Sequence, residues 1–128
     1  MLIYIISPYN HRDRIVRTAR FKANAEFAEG MLLQGQEAFS EVAYIHAILE
    51  ANPQLTYDNF NWDKILKPIR KAADKIIAYQ LPGWKEDQNF LRTYNQFVGW
   101  GEDVHIQGAY VNHTTGKYKE VWDNFGLD

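Results

Sequence analysis

The sequence has no cysteine among its 128 residues, which excludes disulfide bonds and catalysis by a thiolate. It also has no apolar run of the about eighteen residues that a membrane-spanning helix needs. Its first residues lack the basic segment of a secretory signal peptide. The absence of cysteine fits a reducing compartment. We therefore predict a cytoplasmic protein that makes no contact with a membrane.

An excess of charge of either sign is also missing, because 14 basic and 16 acidic residues give a formal net charge of −2. Binding to nucleic acid or to anionic lipid depends on a basic excess, so neither is expected as a partner. The four histidines do not have the spacing of a metal site. Neither a glycine-rich dinucleotide motif nor a P-loop motif occurs. No metal and no cofactor are predicted.

The sequence does contain enough apolar material for one core. Hydrophobic residues make up 46% of the chain and aromatic residues 15%, in a length that suits one domain. No repeat, low-complexity stretch or linker divides the chain, so residues 1–128 are predicted to form a single domain. The aromatic rings fill a small core in one interpretation and stack on the base of a ligand in the other.

The first forty residues alternate between strand and helix patterns. Residues 2–7 form a nearly continuous apolar run, which is typical of a strand buried on both faces. Residues 12–33 have helical spacing, and residues 36–40 follow as a second strand. This unit predicts a right-handed crossover in a parallel sheet. The basic residues between 12 and 22 are expected on the solvated face of the helix, opposite an apolar stripe of Ile15, Ala19, Ala23, Phe27 and Met31.

The rest of the chain continues this alternation and predicts an α/β, three-layer sandwich with a mostly parallel sheet. The tail from Tyr110 is ambiguous: Thr114-Thr115-Gly116 is compatible with a hairpin turn, and Tyr118 to Phe125 is compatible with a terminal helix. Before that point, strand patterns occupy 75–80 and 102–107, and helical patterns occupy 41–51, 62–72 and 87–98.

Polar and aromatic side chains follow the first and third predicted strands. Ser7, Tyr9 and Asn10 come directly after the first strand, and Gly83 and Trp84 form the break after the third. Ligands of open α/β sheets bind outside the carboxyl ends of the strands. These residues are therefore predicted to bind a substrate in one cleft. The alternatives are a half-buried aromatic role for Tyr9 and simple helix capping by the polar loop.

Two aspartates complete the predicted cleft. Asp74 stands at the junction before the third strand, and Asp87 stands at the start of the following helix. Both carry the carboxyl group that acid–base chemistry needs, and a family pattern makes them candidate catalytic residues. Their alternatives are a turn residue for Asp74 and an N-cap for Asp87. Glu41 and Glu86 are further carboxylates that could replace them, and both are expected in solvent.

Several short motifs stand in a fixed order over residues 2 to about 98. They are Ser7-Pro8-Tyr9, Phe39-Ser40, His46, Asp74 and Gly83-Trp84. In this order and spacing the chain resembles the nucleoside 2-deoxyribosyltransferase-like superfamily, and in particular a small branch of phage- and bacterium-associated proteins. Glu41 stands where that branch has a proline.

The resemblance implies a flavodoxin-like or Rossmann-like sheet with a pocket for a nucleoside or nucleotide. In active members a glutamate on the helix after the third strand attacks the anomeric carbon of the sugar, and an aspartate in the place of Asp74 helps to handle the base. A carboxylate there stabilises or captures the oxocarbenium-like state. With Asp87 at the start of this helix, Thr93 falls where the glutamate is expected. Thr93 is therefore predicted to contact the substrate without supplying a carboxylate.

The first function that follows is an N-glycosidic bond hydrolase or deoxyribosyltransferase acting on a (deoxy)nucleoside or its 5′-monophosphate. The alternative, favoured by Thr93, is a catalytically inactive protein that binds a nucleotide-like ligand to sense or sequester it. A third hypothesis is a structural or partner-binding module. The predicted partner is a small-molecule nucleoside or nucleotide, and the resemblance also implies a homodimer or higher homo-oligomer.

Overall fold

The computed structural model describes residues 1–109 and 116–128. Its strands are β1 (Leu2–Ile6), β2 (Glu37–Ser40), β3 (Lys75–Gln80) and β4 (Val104–Gly108). They form a four-stranded sheet in the order β2-β1-β3-β4, and each neighbouring pair is parallel. The predicted α/β class, with a parallel sheet and the first strand inside it, is confirmed.

The helices begin and end within a residue or two of the predicted positions. Short 3-10 turns occur at Tyr57–Asn59 and Trp84–Glu86. The terminal helix of the tail is confirmed, whereas Thr114 and Thr115 of the alternative turn lie outside the described residues. No helix in the described ranges is long and apolar enough to cross a bilayer. The helices are α1 (Arg14–Leu33), α2 (Glu41–Ala51), α3 (Trp62–Ala72), α4 (Gln88–Gly99) and α5 (Lys119–Asn124).

Strand β1 lies inside the sheet because its side chains are apolar on both faces. Tyr4, Ile5 and Ile6 are fully buried. In the register of the sheet, Tyr4 pairs with Phe39 of β2 on one side and with Ile76 of β3 on the other. Since helices cover both faces of a parallel sheet, a strand of this kind is buried on each face.

Helices cover both faces of the sheet and give the molecule three layers. Helices α1 and α5 pack on one face, where Val16 and Trp122 contact the side of the sheet that carries Ile5. Helices α3 and α4 pack on the other face, where Phe97 contacts Tyr4. The helices that follow β1 and β3 therefore leave the sheet toward opposite faces. Such a reversal opens a crevice between the carboxyl ends of the two strands.

The buried face of α1 differs from the predicted stripe. Ala23 is buried as predicted, but Ile15 is 58% exposed, whereas Arg20 and Asn24 are buried. The reason is that polar groups at the strand ends need partners. Arg20 donates to backbone carbonyls of the loops after β1 and β3. Asn24 accepts a hydrogen bond from Ser40 Oγ at 3.5 Å.

Candidate functional site

A cavity of about 390 Å³ opens beside the carboxyl end of β1. One wall is the loop after β1 with the first turns of α1, and the other wall is the end of α2 with the loop that follows it. This volume falls in the range of small-molecule sites, about 300 to 1,000 Å³. The cavity is lined by Tyr9, Asn10, Arg14, Arg17, Leu49, Glu50, Pro53, Leu55, Thr56 and Tyr57.

Tyr9 connects the cavity to a buried histidine. The Tyr9 hydroxyl is 2.9 Å from Nδ1 of His46, and Nε2 of His46 is 3.6 Å from Oε1 of Glu50. Phe21 stacks on the imidazole with 4.3 Å between the ring centroids. Burial raises the pKa of Tyr9 to about 12 and lowers the pKa of His46 from its ordinary value. Both side chains are therefore neutral near pH 7. In the tautomer that carries its proton on Nε2, toward Glu50, His46 accepts a hydrogen bond from the Tyr9 hydroxyl through Nδ1.

Two arginines of α1 bring positive charge to the cavity. Arg14 Nε and Nη2 donate to the two carboxylate oxygens of Glu50 at 3.0 and 2.7 Å, and this hydrogen bonding lowers the pKa of Glu50. Arg17 Nη1 donates to the backbone oxygen of His11 at 2.6 Å. Because residues three apart on a helix are neighbours, the two guanidinium groups face the same space.

Two tyrosines line the cavity, Tyr57 at a half-buried position and Tyr9 with 5% of its surface exposed. The ring centroids of Tyr9 and Tyr57 are 6.3 Å apart. Trp62 fixes the backbone of Tyr57, since its indole N–H donates to the Tyr57 carbonyl at 2.8 Å. Burial raises the pKa of Tyr57, so this hydroxyl keeps its proton and can both donate and accept. The rings and hydroxyls together suit a flat ligand with polar edges.

A buried ion pair lies where the loop after β1 meets the start of α4. Oδ2 of Asp87 is 3.7 Å from Nη1 of Arg20, and the two side chains are 6% and 3% exposed. The Asp87 carboxylate caps α4 by accepting from the N–H of Phe90 at 2.9 Å. Burial raises the pKa of Asp87, although the N–H groups of Phe90, Asn89 and Tyr9 and the charge of Arg20 oppose the shift. The structure thus brings Asp87 beside Tyr9, but internal contacts occupy its carboxylate.

Arg20 also ties the loops after β1 and β3 together. It donates to the backbone oxygens of Asn10 at 3.3 Å and Pro82 at 3.2 Å. Gly83 lies against it with φ of +91°, and a Cβ at this position would lie 2.6 Å from Arg20 Nη2 and 2.9 Å from Leu127 Cδ2. Only glycine combines this backbone conformation with this close approach. The role of Gly83 is therefore to let the two loops meet.

Ser7 and Trp84, two further predicted binding residues, lie close to this edge of the sheet without lining the cavity. Ser7 is 5% exposed, and its Oγ has no hydrogen-bond partner among the described residues. The Trp84 ring packs edge-on against Phe90, with 6.1 Å between the ring centroids. Trp84 therefore supports the core between the sheet and α4.

Asp74 does not join the site. Its Oδ2 accepts from the N–H of Leu2 at 2.7 Å, and its own N–H donates to the Leu2 carbonyl at 2.8 Å. Leu2 begins β1, whereas Tyr9 follows the end of that strand, so Asp74 lies at the opposite edge of the sheet. The predicted placement of Asp74 in one cleft with Tyr9 is wrong. In a parallel pair, a residue that precedes one strand does not meet a residue that follows its neighbour.

Thr93 does not reach the cavity either. It is 4% exposed, and its hydroxyl donates to the backbone oxygen of Asn89, one turn earlier in α4, at 2.9 Å. A threonine hydroxyl buried in a helix commonly bonds to this carbonyl. The sequence predicts that Thr93 contacts the substrate, but Thr93 is not among the residues that line the cavity.

The sequence predicts Glu41 in solvent, but Glu41 is buried, with 7% of its surface exposed. The Tyr4 hydroxyl donates to it at 2.6 Å and Arg70 Nη2 donates at 3.0 Å. Arg70 also donates to Asp63 at 2.8 Å. Burial raises the pKa of Glu41, and the charge of Arg70 opposes this shift. Glu86 is exposed, as predicted.

Much of the cavity wall escapes prediction from the sequence. Arg14 and Arg17 are expected on a solvated face, Glu50 lies at the end of the helical pattern of 41–51, and Tyr57 lies between this pattern and the next. The usable signal is the spacing of the two arginines, which stand three residues apart directly after the loop that carries Tyr9. A helix that leaves a candidate binding loop turns its first residues toward the same space.

The described side chains contain no group of three or more His, Cys, Asp or Glu that could hold a metal ion. The cavity itself offers guanidinium groups, phenols, amide and hydroxyl groups and one carboxylate among its lining residues. Such a set binds an organic ligand by stacking and hydrogen bonding.

Comparison with known proteins assigns the chain to a family. No curated protein matches the sequence. The model of the family described as "Domain of unknown function (DUF1937)" matches residues 1–109, a stretch that contains all four strands and every residue that lines the cavity. Because the match extends over most of the chain, the protein belongs to the DUF1937 family.

Proposed function

We propose that this protein binds a nucleoside or a nucleoside 5′-monophosphate in the cavity beside β1. The observation that carries the proposal is the pairing of Tyr9 and Tyr57 with Arg14 and Arg17 in one cavity at the carboxyl edge of a parallel sheet. The half-buried ring of Tyr57 suits stacking on a base, and guanidinium groups bind hydroxyl or phosphate oxygens. The resemblance to nucleoside 2-deoxyribosyltransferase-like proteins supports the same class of ligand.

Binding leads over catalysis because the predicted catalytic groups are engaged elsewhere. Asp74 lies at the other edge of the sheet with Leu2. Asp87 caps α4 and pairs with Arg20. Thr93 donates its hydroxyl within its own helix. A site without a free acid still binds its ligand, so this arrangement fits a protein that senses or sequesters a nucleoside.

A second candidate is cleavage of an N-glycosidic bond, favoured by the position of Glu50. It is the carboxylate among the lining residues, and it lies beside His46, which contacts the Tyr9 hydroxyl. In this candidate Glu50 stabilises the positive charge that develops at the anomeric carbon. The electron pair of the bond leaves with the base, which takes a proton from Tyr9. Water in a hydrolase, or a second base in a deoxyribosyltransferase, then bonds to the anomeric carbon and returns a proton to Tyr9.

The experiment for binding is calorimetric titration of the purified protein with the common deoxynucleosides and their 5′-monophosphates. We expect saturable binding that Tyr57→Leu weakens by about tenfold, since stacking on one base contributes roughly 1–3 kcal/mol. Tyr44→Leu is the matched control, because Tyr44 is 39% exposed on α2 and does not line the cavity. Absence of binding, or equal losses in both variants, contradicts the proposal.

The experiment that separates the two candidates is chromatography of the same mixtures after incubation. Intact ligands together with saturable binding support a binding protein. Release of free base, abolished by Glu50→Gln, supports glycosidic cleavage and assigns the acid to Glu50. Release of base that survives Glu50→Gln contradicts the catalytic role given to Glu50 here.

A further inference from the structure

The positive charge of the cavity is partly compensated from within. Arg14 donates to both carboxylate oxygens of Glu50, at 3.0 and 2.7 Å, in the two-pronged geometry that arginine also uses to bind phosphate. The side chains of Arg14 and Glu50 are 71% and 36% exposed. Glu50 therefore occupies the N–H groups of Arg14 that an anionic ligand would use. A ligand in the cavity can reach this ion pair.

The other anion-binding features of this wall are engaged as well. The start of a helix attracts anions through its free N–H groups, but the Asp13 carboxylate caps α1 by accepting from the N–H of Ile15 at 2.9 Å. Arg17 donates one N–H to the His11 carbonyl. Among the charged residues that line the cavity, Arg17 is the one for which the described residues show no carboxylate partner.

We propose that Glu50 makes the cavity selective for unphosphorylated nucleosides against their 5′-monophosphates. This inference rests on the proposed binding function and names the ligand class of the same site. Glu50 acts as an internal counter-ion on Arg14. A nucleoside without a phosphate leaves this pair in place, contacts Arg17 and stacks on the half-buried ring of Tyr57.

The physical argument concerns what happens to Glu50 when a phosphate enters. A phosphate monoester carries a charge of about −1.5 to −2 at pH 7, and to reach Arg14 it has to displace the carboxylate. An exposed ion pair is weak, so the displacement itself costs little. The displaced carboxylate stays in the same cavity, however, and like charges within several ångström repel each other. Neutral His46, 3.6 Å from Glu50, supplies no charge that offsets the repulsion.

The test compares wild type with Glu50→Gln and with a matched control. Glutamine keeps the size of the side chain and removes the charge. Asp58→Asn changes the net charge of the protein equally, at an exposed position beside Tyr57 that does not line the cavity. Calorimetric affinities are measured for thymidine, deoxyadenosine and their 5′-monophosphates at one fixed ionic strength, since salt screens these interactions.

We expect wild type to bind each nucleoside more tightly than its monophosphate. Glu50→Gln should shift this affinity ratio toward the monophosphate by about tenfold, which lies between the strength of a charge pair in water and near a protein surface. Asp58→Asn should leave the ratio within about twofold, because its carboxylate is exposed to screening solvent. A wild type that prefers monophosphates overturns the proposal, and so does a ratio that changes equally in both variants or not at all.

A titration with inorganic phosphate tests the role of Glu50 independently of the proposed function. Chemical-shift changes in NMR spectra measure the affinity for phosphate. If no nucleoside or nucleotide binds any of the proteins, the proposed function is wrong and phosphate alone decides the role of Glu50. Tighter phosphate binding by Glu50→Gln than by wild type and Asp58→Asn supports the role of Glu50 as an internal counter-ion. Equal affinities, or no phosphate binding by Glu50→Gln, overturn it.

Discussion

Single buried charges in this protein are held by partners far away in the sequence. Arg70 is 3% exposed and donates to Glu41, Asp63 and Gln96. The Tyr4 hydroxyl and Arg70 both donate to Oε1 of Glu41. Glu41 is 37 positions from Tyr4 and 29 from Arg70. Sequence spacing reveals neighbours on one helix or strand, so the sequence predicts a solvated Glu41 and gives no sign of this network.

The network predicts a large cost for removing its cation. Arg70→Met should destabilise the protein by about 3 kcal/mol, because the Glu41 carboxylate then stays buried without a compensating charge. The measurement is the free energy of unfolding from urea titration. Adding Glu41→Gln to this variant should recover part of the loss, since the double variant no longer buries a charge at position 41.

Arg92→Met is the control for the network. Arg92 also pairs with Asp63, at 2.9 Å, but its side chain is 55% exposed, so its removal should cost about 1 kcal/mol or less. An Arg70→Met variant that loses no more stability than Arg92→Met would show that the buried pair contributes little. It would also show that the fold tolerates an unpaired Glu41.

Whole helices and strands are the level at which the sequence is most informative here. The apolar run of β1, the spacing of α1 and the apolar segment of β3 each identify their element, because burial imposes these patterns. Once the sheet is known to be parallel, the strand direction also shows that Asp74 lies at the amino ends of the strands. Asp74 precedes β3 while Tyr9 follows β1, so the two residues lie at opposite edges. The family pattern predicts Asp74 and Tyr9 in one site, whereas the geometry of parallel strands separates them.

The N-terminus of α4 provides a prediction at this level. Asp87→Ala should destabilise the protein by about 2 kcal/mol, of which about 1 kcal/mol is the loss of a helix cap. The remainder comes from Arg20, which loses the counter-ion of a buried pair, and from the N–H groups of Asn89 and Tyr9, which lose an acceptor. Unfolding in urea measures the change. Asp87→Asn should cost clearly less, because asparagine also caps helices.

The N-cap of α1 is the matched control for Asp87. Asp13 caps its helix through the N–H of Ile15 at a more exposed position, so Asp13→Ala should cost only the cap, about 1 kcal/mol. Equal losses for Asp87→Ala and Asp13→Ala would contradict the structural role given to the buried carboxylate. In that case Asp87 would be a simple cap and would be available for a ligand.

At the scale of the whole molecule, the fold class follows from the sequence and the cavity does not. Alternating strand and helix patterns lead to a parallel sheet with helices on both faces. The cavity forms where α1 and the end of α2 approach each other, so its walls come from the segments around Tyr9 and Tyr57, which are far apart in the chain. The distance between two helices depends on packing in three dimensions, and no local pattern encodes it.

The packing of α1 against α2 buries His46 and makes the stability of the molecule depend on pH. Burial lowers the pKa of His46, with Arg17 and Arg14 acting in the same direction and Glu50 opposing them. In the unfolded chain a histidine binds its proton near pH 6.5, above the pKa of the folded state. The unfolded state therefore binds more protons as the pH falls below about 6.5. The contribution of neutral His46 is complete above that pH and is lost on acidification.

His46→Gln tests this dependence. Glutamine can accept the hydrogen bond from Tyr9 but does not titrate, so wild type should exceed the variant in stability most at pH 8, and the gap should narrow steadily toward pH 5. Urea unfolding at a series of pH values measures the gap, and the other titrating groups, His11 included, are common to both proteins. His105→Gln, at an exposed position of β4, is the control for replacing a histidine by glutamine. A gap between wild type and His46→Gln that stays constant or widens on acidification would mean that His46 keeps its proton in the folded protein, and that Glu50 outweighs the burial of the ring.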